Sequence, residues 1–564
     1  MAAVAPEPRG ICFIRNPIQE HLRVVFRPAK MPALEIATTS KTPENHASNT
    51  NLTASVGRST LFGILTSLVQ VGTRVVLVPI VIVHLGLGGY GIWSIVLMLA
   101  TYMQFGGVGV KSAFQKYVAE ATGNGSYDMA SKLLSTGAVA LFAISIAALL
   151  PTAIFSRTIA RAAGVPPEFL ESSARAISML AVVMMFSNIG AAYEGIITGG
   201  HRIDLIQKLS TCLCVLEATG IIAVLYLGYG IFAMAAVIAA SGSIFTFFCY
   251  IVSRRVVPQI HLRLSHVTRT VARELIRFAG SYQVLNILQL VYGAIAPIAI
   301  LRAYGARPEG VLQVANRLMS PLQMCMYAFV VPILSGSAMV YASGSVERMR
   351  NLLAKSFKVT LYMTLLPLGL ISAFGTYVIA AWVGQTDPQF QATLVLLSLA
   401  MFFQSFALLG LVLYRASGKA VMDNIREVIR IVTILLVVFF AKKLGFLGVL
   451  GGIAVAELAG MSFMLFALTK TYHAFDVKAL LREALRLAAA TLGVVAVGML
   501  AARVSVASIT SVRGAAAIKV GTISLAVLVS LYPFLYFTGA LTRDDMRAIR
   551  EIFKRPNVSI PANS

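Results

Sequence analysis

Residues 61–83 read LFGILTSLVQVGTRVVLVPIVIV, a run long enough to cross ~30 Å of hydrocarbon as a helix rising 1.5 Å per residue. Its polar positions are not scattered. Gly63, Ser67, Gln70 and Arg74 recur at i, i+4, i+7 and i+11, which puts them on one helical face. A second apolar run, 89–110, follows, and further runs continue to Thr538. About fourteen stretches of roughly 20 residues emerge, at 61–83, 89–110, 132–155, 175–199, 207–228, 231–253, 278–301, 311–334, 357–382, 391–414, 427–444, 446–469, 485–504 and 516–538. Hydrophobic residues make up 58% of the 564 and charged residues 12%, and the mean hydropathy is +0.81. That composition excludes a water-soluble globule. The sequence predicts an all-α polytopic membrane bundle.

The formal net charge is +24. Lys and Arg cluster in alternate loops and in both tails, leaving Arg74 and Arg317 inside spans. This is the asymmetry of the positive-inside rule and predicts a multi-pass protein with both termini in the cytoplasm. The basic excess then serves topology and attraction to anionic membrane lipids rather than nucleic acid. The first 59 residues lack the apolar core and cleavage site of a secretory signal, and residues 38–60 are rich in Ser, Thr and Asn. No Walker A loop is present, and the seven histidines and five cysteines show no metal-ligand spacing. The cysteines read as buried inert thiols. No cofactor, metal or catalytic residue is expected.

Six segments are expected: a disordered cytoplasmic tail (1–57), a first lobe holding spans 1–6 (58–253), a cytoplasmic amphipathic linker (254–277), a second lobe holding spans 7–12 (278–470), two appended spans (471–540) and an amphipathic tail (541–564). In the linker, Val267, Val271, Leu275 and Phe278 recur at helical spacing opposite Arg269, Arg273 and Arg277. In the tail, Thr542 and Asp545 form a capping box ahead of Met546, Ile549 and Phe553. An internal repeat underlies the two lobes. At an offset of 219 residues, Ser67, Gln70, Gly91 and Gln104 fall on Asn286, Gln289, Gly310 and Gln323. The expected product is two pseudo-symmetric six-helix lobes plus two C-terminal helices, hardware that suits alternating access.

Polar side chains at mid-membrane depth are the candidate site. Arg74 is too deep to snorkel, and a guanidinium at the centre of a helix facing lipid costs about 2.5–3.5 kcal/mol. It faces either a wet lumen holding an anion or an intramembrane carboxylate. Tyr282, Asn286, Gln289 and Gly293 form a hydrogen-bonding stripe on span 7, with helix packing as the alternative use. Asn316 and Arg317 lie ahead of Pro321 in span 8, where Arg317 is near enough to the interface to snorkel. Glu194, Glu217 and Glu457 are the intramembrane acids, each suited to carrying a coupling ion or to neutralising an Arg. Glu427 and Arg430 read as a local i, i+3 pair. Seven prolines (79, 151, 297, 321, 332, 367 and 533) fall inside spans, where they kink helices.

Several short motifs carry a resemblance. Gly88-Gly89-Tyr90-Gly91-Ile92-Trp93, Gly107-Val108-Gly109 and Lys116-Tyr117-Val118-Ala119-Glu120 are similar to the oligosaccharide flippase family of the multidrug/oligosaccharidyl-lipid/polysaccharide exporter superfamily. Tyr193-Glu194-Gly195, Ala315-Asn316-Arg317-Leu318, Ser320-Pro321-Leu322 and Ala416-Ser417-Gly418-Lys419 agree with it. The resemblance implies a cationic cavity between two lobes in a bacterial inner (plasma) membrane. It also implies translocation of undecaprenyl-pyrophosphate-linked oligosaccharide repeat units for surface polysaccharide, with Arg74 and Arg317 in the positions of family arginines. Monomeric action beside a polysaccharide polymerase and glycosyltransferases is the expected setting. Gly107 stands where the family often has Asp, and Asn316 where the related peptidoglycan-precursor flippases have Asp; the second departure argues against lipid II as substrate. The alternatives are a cation-coupled multidrug exporter of the same superfamily and a peptidoglycan lipid II flippase. A central Arg would repel a cationic drug. A polymerase would need a larger outer loop than residues 156–174 provide.

Overall fold

The computed structural model describes residues 48–104, 108–342, 345–416, 421–440, 445–472, 477–503 and 511–540. It divides into Met1–Ala54, of which only the helical residues 48–54 are described, and Ser55–Ser564. The N-terminal tail before residue 48, Gly107, Gly418-Lys419 and the C-terminal amphipathic segment lie outside the described residues. So do the side chains of Leu275, Arg277, Phe278 and Tyr282.

Lipid cannot hydrogen-bond a backbone, so apolar runs of this length must close their amide bonds internally as helices. Sixteen α-helices and one 3₁₀ turn result among the described residues. In chain order they are α1 (Ser48–Gln104), α2 (Val108–Asn124), α3 (Tyr127–Ile154), α4 (Ser156–Ala162), α5 (Pro167–Ser187), α6 (Gly190–Gly199), α7 (Ile203–Tyr226) and α8 (Ile231–Val256). They continue as α9 (Arg269–Tyr304), α10 (Ala306–Ala342), α11 (Val346–Val383), α12 (Gln389–Ala416), α13 (Val421–Phe440), α14 (Gly445–Tyr472), α15 (Val477–Ala502) and α16 (Val512–Phe537).

Among the described residues, twelve helices are long and apolar enough to cross a membrane. Two features reconcile that number with the expected fourteen. One helix, Leu65–Gln104, is 40 residues long and is broken at Gly86, whose φ of 73° and ψ of 171° only glycine adopts readily, so it forms two limbs. The other is α13, which is apolar enough on average but carries four charged residues, Asp423, Arg426, Glu427 and Arg430, in its first ten.

The 219-residue offset organises the fold. Gly86 has its counterpart in Gly305, with φ 92° and ψ −176°, so both lobes turn from their first to their second limb through the same backbone conformation. Helix α3 starts at 127 and α11 at 346, an interval of 219. Packed pairs recur in the same way: α2 with α6 as α10 with α12, α3 with α5 as α11 with α12, and α7 with α8 as α13 with α14. Two satellite cores are counterparts as well. Ala130, Leu134, Ala138 and Ala192 in one occupy the places of Met349, Leu353, Phe357 and Leu411 in the other. The largest core is shared, drawing Ile82, Trp93 and Ile177 from the first lobe and Ile300, Val314 and Leu394 from the second. Helices α15 and α16 pack on each other and on α11, outside the repeat.

The lobes meet most closely at the end that carries the two turn glycines. A Cβ on Gly91 would stand 2.5 Å from Ala306 O and 2.7 Å from Gly310 N. Reciprocally, a Cβ on Gly310 would collide with Leu87 O. Gly164, between α4 and α5, approaches Arg302 in the same region, with Arg302 Cα at 2.6 Å from its virtual Cβ. All seven prolines fall inside helices. At Pro79 the missing N–H frees the carbonyl four residues earlier, and Trp382 Nε1 of the second lobe donates to that Val75 oxygen at 2.8 Å.

The linker is not a separate helix. It runs irregularly from Val257 through a 3₁₀ turn at Leu264–His266, and α9 begins at Arg269 and continues straight into span 7. The cysteines require a correction. Cys249 is buried, but Cys212 and Cys325 are exposed, because each faces outward from its helix where no neighbouring helix covers it.

Candidate functional site

The first limb of α1 is held against α7 by hydroxyls. Thr66 Oγ1 meets Thr211 Oγ1 at 2.8 Å, and one full heptad on, Thr73 Oγ1 meets Cys214 Sγ at 3.2 Å. This seam fixes the rotation of the limb and leaves the Ser67–Gln70–Arg74 face beside it. Arg74 is exposed, and the charges that act on it are Arg317 from the other lobe, Cys214 and Glu217. Arg74 lies twelve residues before Gly86 and Arg317 twelve after Gly305. At 1.5 Å per residue both lie ~18 Å from the turns, at matched depth.

Arg317 does not snorkel outward. It is half-buried beside Tyr90, which stands within electrostatic range of both Arg317 and Glu309. An α-helical side chain points back toward its helix N-terminus, which carries the guanidinium from α10 toward Tyr90. Tyr90 belongs to the Gly88–Trp93 run and is almost fully buried. The two guanidiniums therefore come from different lobes and act on each other, and among the described residues Glu217 is the carboxylate acting on Arg74. Glu217 is half-buried beside Ser241.

The remaining expected residues are distributed differently. Ser67 turns its hydroxyl back to Gly63 O at 2.9 Å, and Gln70 is half-buried on the same face. Asn286 is half-buried, and Gln289 and Asn316 are exposed. Gly293, the second-lobe counterpart of Arg74, lies under Tyr102, whose hydroxyl is 3.1 Å from where a Cβ would be. The second lobe thus carries no charge at the helix position that Arg74 holds in the first. Glu194 sits on α6 with the satellite core around Phe114 and Val118, away from this group.

Glu457 has another place. Its two oxygens meet Arg426 Nη2 at 3.2 Å and Arg430 Nη2, and Tyr292 donates its hydroxyl at 3.2 Å. Glu427 completes the quartet, with oxygens 2.9 Å from Arg426 Nη1 and 2.6 Å from Arg430 Nη1. The Arg430 guanidinium stacks 3.7 Å from the Tyr292 ring centroid. All four charged side chains are buried. The Glu427–Arg430 pair expected from spacing is therefore one edge of a neutral network joining α9, α13 and α14, and Glu457 is its counter-ion.

Three residues escaped the sequence reading. Tyr90 was visible only as part of a motif. Glu309, fully buried in the first turn of α10, accepts from Gln313 Nε2 at 2.7 Å while its second oxygen is unpartnered; an acid there is favoured by the helix dipole. It was assigned to a loop because span 8 was started five residues too late. Arg426 was missed for the same reason at span 11.

Fold and site together define a polytopic helical bundle of two repeated lobes with a pair of guanidiniums, one from each lobe, at matched depth and within electrostatic range of each other. Residues 63–219 match the MatE family model, within the first lobe. Solved structures share the fold over nearly their whole length. A lipid II flippase, MurJ, in an inward closed conformation aligns with a TM-score of 0.67 at 15% identity, over 85% of this chain and 98% of that one. An inward-facing multidrug resistance MATE transporter of the MOP superfamily aligns with a TM-score of 0.58 at 15% identity, over 73% and 95%. A Vibrio cholerae MATE transporter gives 0.52 at 14%, over 76% and 98%. No curated protein sequence matches the chain. The chain shares the fold of these solved transporters.

Proposed function

We propose that this chain is a flippase for undecaprenyl-pyrophosphate-linked oligosaccharide repeat units, working by alternating access between its two lobes. The observation that supports this reading is the Arg74–Arg317 pair. Two like charges within interaction range repel, and among the described residues a single carboxylate, Glu217, acts on Arg74. A diphosphate offsets that repulsion, because charge-assisted bonds from a guanidinium to a phosphate oxygen are about twice as strong as neutral ones. Gln70, Ser67, Asn286, Gln289 and Asn316 supply neutral hydrogen-bonding groups suited to a sugar, while the prenyl tail stays in lipid. No bond is made or broken. The protein binds the head group in two alternately open states, so it is not an enzyme.

The paired cations disfavour a multidrug exporter of organic cations. Asn316, in place of an acid, disfavours lipid II. Glu217 is the coupling candidate with direct access to the site. Glu194 remains a second, and Glu457, held by two guanidiniums, is assigned to structure instead. In this reading the Gly86/Gly305 end faces outward, both termini are cytoplasmic, and the protein acts as a monomer in a bacterial inner membrane beside its polymerase and glycosyltransferases. Reconstitution with a fluorescent pyrophosphate-linked oligosaccharide tests it. Substrate should reach the opposite leaflet, and Arg74→Ala at normal abundance should stop it. Unchanged flipping by that variant, or export of organic cations instead, contradicts the proposal.

A further inference from the structure

The segment that joins the lobes is rigidly seated. Three hydroxyls of α3 accept its backbone N–H groups: Ser131 from His261 at 3.2 Å, Ser135 from Arg263 at 3.0 Å and Thr136 from Thr268 at 3.2 Å. Val257 and Ile260 are buried beneath it. Seating fixes what faces out. Leu264 is 82% exposed and Val267 37%, an expensive arrangement in water at roughly 25 cal/mol per Å² of apolar surface.

Around these side chains stand cations. Arg254 and Arg255 occupy the last turn of α8, Arg263 is exposed, and Arg254 Nη1 donates to His261 Nδ1 at 2.5 Å. The His261 imidazole is held below its ordinary value, by loss of solvent first and then by Arg254, Arg263 and His266. From α3, the charged groups nearby are Asp128 and Lys132, which pair with each other at 2.6 Å, and Asp128 also acts on His266. Cations are thus crowded together, and the acid of α3 nearest to them, Asp128, is already paired with Lys132.

We propose that this linker is a binding site for an anionic phospholipid, whose headgroup phosphate is held by Arg254, Arg263 and His261 while Leu264 and Val267 enter the acyl region. Charge selects the phosphate, and the exposed leucine selects a lipid over a free ion. Because the linker is the covalent connection between the lobes, an occupied site ties their hinge to the leaflet. The inference rests on membrane placement and on no property of the oligosaccharide, so it stands or falls separately from the flippase reading.

The test uses the full chain in nanodiscs of phosphatidylcholine with added phosphatidylglycerol, with spin-labelled lipids reporting selectivity. The intact protein should enrich phosphatidylglycerol over phosphatidylcholine. R254Q with R263Q should lower that enrichment by about fivefold per charge removed. L264S should weaken it further. Should the double variant misfold, the exposed-site variant R263E decides alone and should lose the preference. Undiminished selectivity in either overturns the proposal. In a second measurement, imidazole NMR of the detergent-solubilised protein, assigned with H261Q, should show the His261 pKa rising as short-chain phosphatidylglycerol is added. An unmoved pKa, or an equal rise with inorganic phosphate, contradicts a lipid site.

Discussion

At the residue scale the account turns on where guanidiniums find their anions. Arg74 has a partial partner in Glu217, and Arg317 lies beside the neutral Tyr90. Tyr90→Phe removes the hydroxyl next to that guanidinium, so transport should fall roughly tenfold with the fold intact, as measured by flipping rate at matched abundance. Glu217→Gln leaves Arg74 with less compensation. It should tighten binding of the pyrophosphate head group while making turnover insensitive to a proton gradient, and gradient dependence equal to that of the intact protein would exclude Glu217 from coupling. Arg74 and Arg317 were legible in the sequence because a lone charge in an apolar run is conspicuous. Tyr90 was not, since a buried aromatic beside glycines looks like any core residue. Glu309 was hidden by a helix start, a boundary set by a glycine turn whose dihedrals no hydropathy window contains.

At the element scale the same helix pair is built twice with different chemistry. In the first lobe α1 meets α7 through Thr66–Thr211 and Thr73–Cys214, whereas in the second α9 meets α13 through Tyr292 and Arg430. Helix α13 is inside out: Asp423, Arg426, Glu427 and Arg430 are buried while Val432, Leu435, Leu436, Phe439 and Phe440 are exposed. Against lipid this is favourable on both faces. Removing one member of the quartet strands a buried opposite charge, so Glu457→Gln should cost about 3–5 kcal/mol. The measurement is thermal or denaturant unfolding in detergent, and it should show the loss without a matching loss of substrate affinity per folded molecule. Replacing Arg430 and Glu457 together by Met and Leu should cost much less. Spacing along the sequence revealed the Glu427–Arg430 edge. Its meeting with Glu457 and Arg426 depends on how α13 and α14 pack, which helical periodicity alone does not encode.

At the scale of the whole molecule, four coincidences at an offset of 219 residues pointed to two lobes, and the structure extends that offset to the turn glycines, the helix starts and the satellite cores. Periodicity made the helices legible. The way the lobes meet was less so, because it depends on a near two-fold arrangement at Gly91 and Gly310 where backbones approach too closely for a side chain. Gly310→Leu should force that seam apart. Crosslinking of cysteine pairs across the Gly86/Gly305 end should then be lost, and transport should stop while abundance persists; retained crosslinking would show that the seam accommodates the added bulk. The lobes' joint product is the pair of arginines, and a double-mutant cycle on it tests the account most directly. Binding of the pyrophosphate-linked oligosaccharide to purified protein would be measured for Arg74→Gln, Arg317→Gln and the pair together. Each single change should weaken binding by roughly tenfold to a hundredfold, and the pair by less than the product of the two, because one diphosphate is shared. Two fully independent effects, or no loss from either, would contradict it.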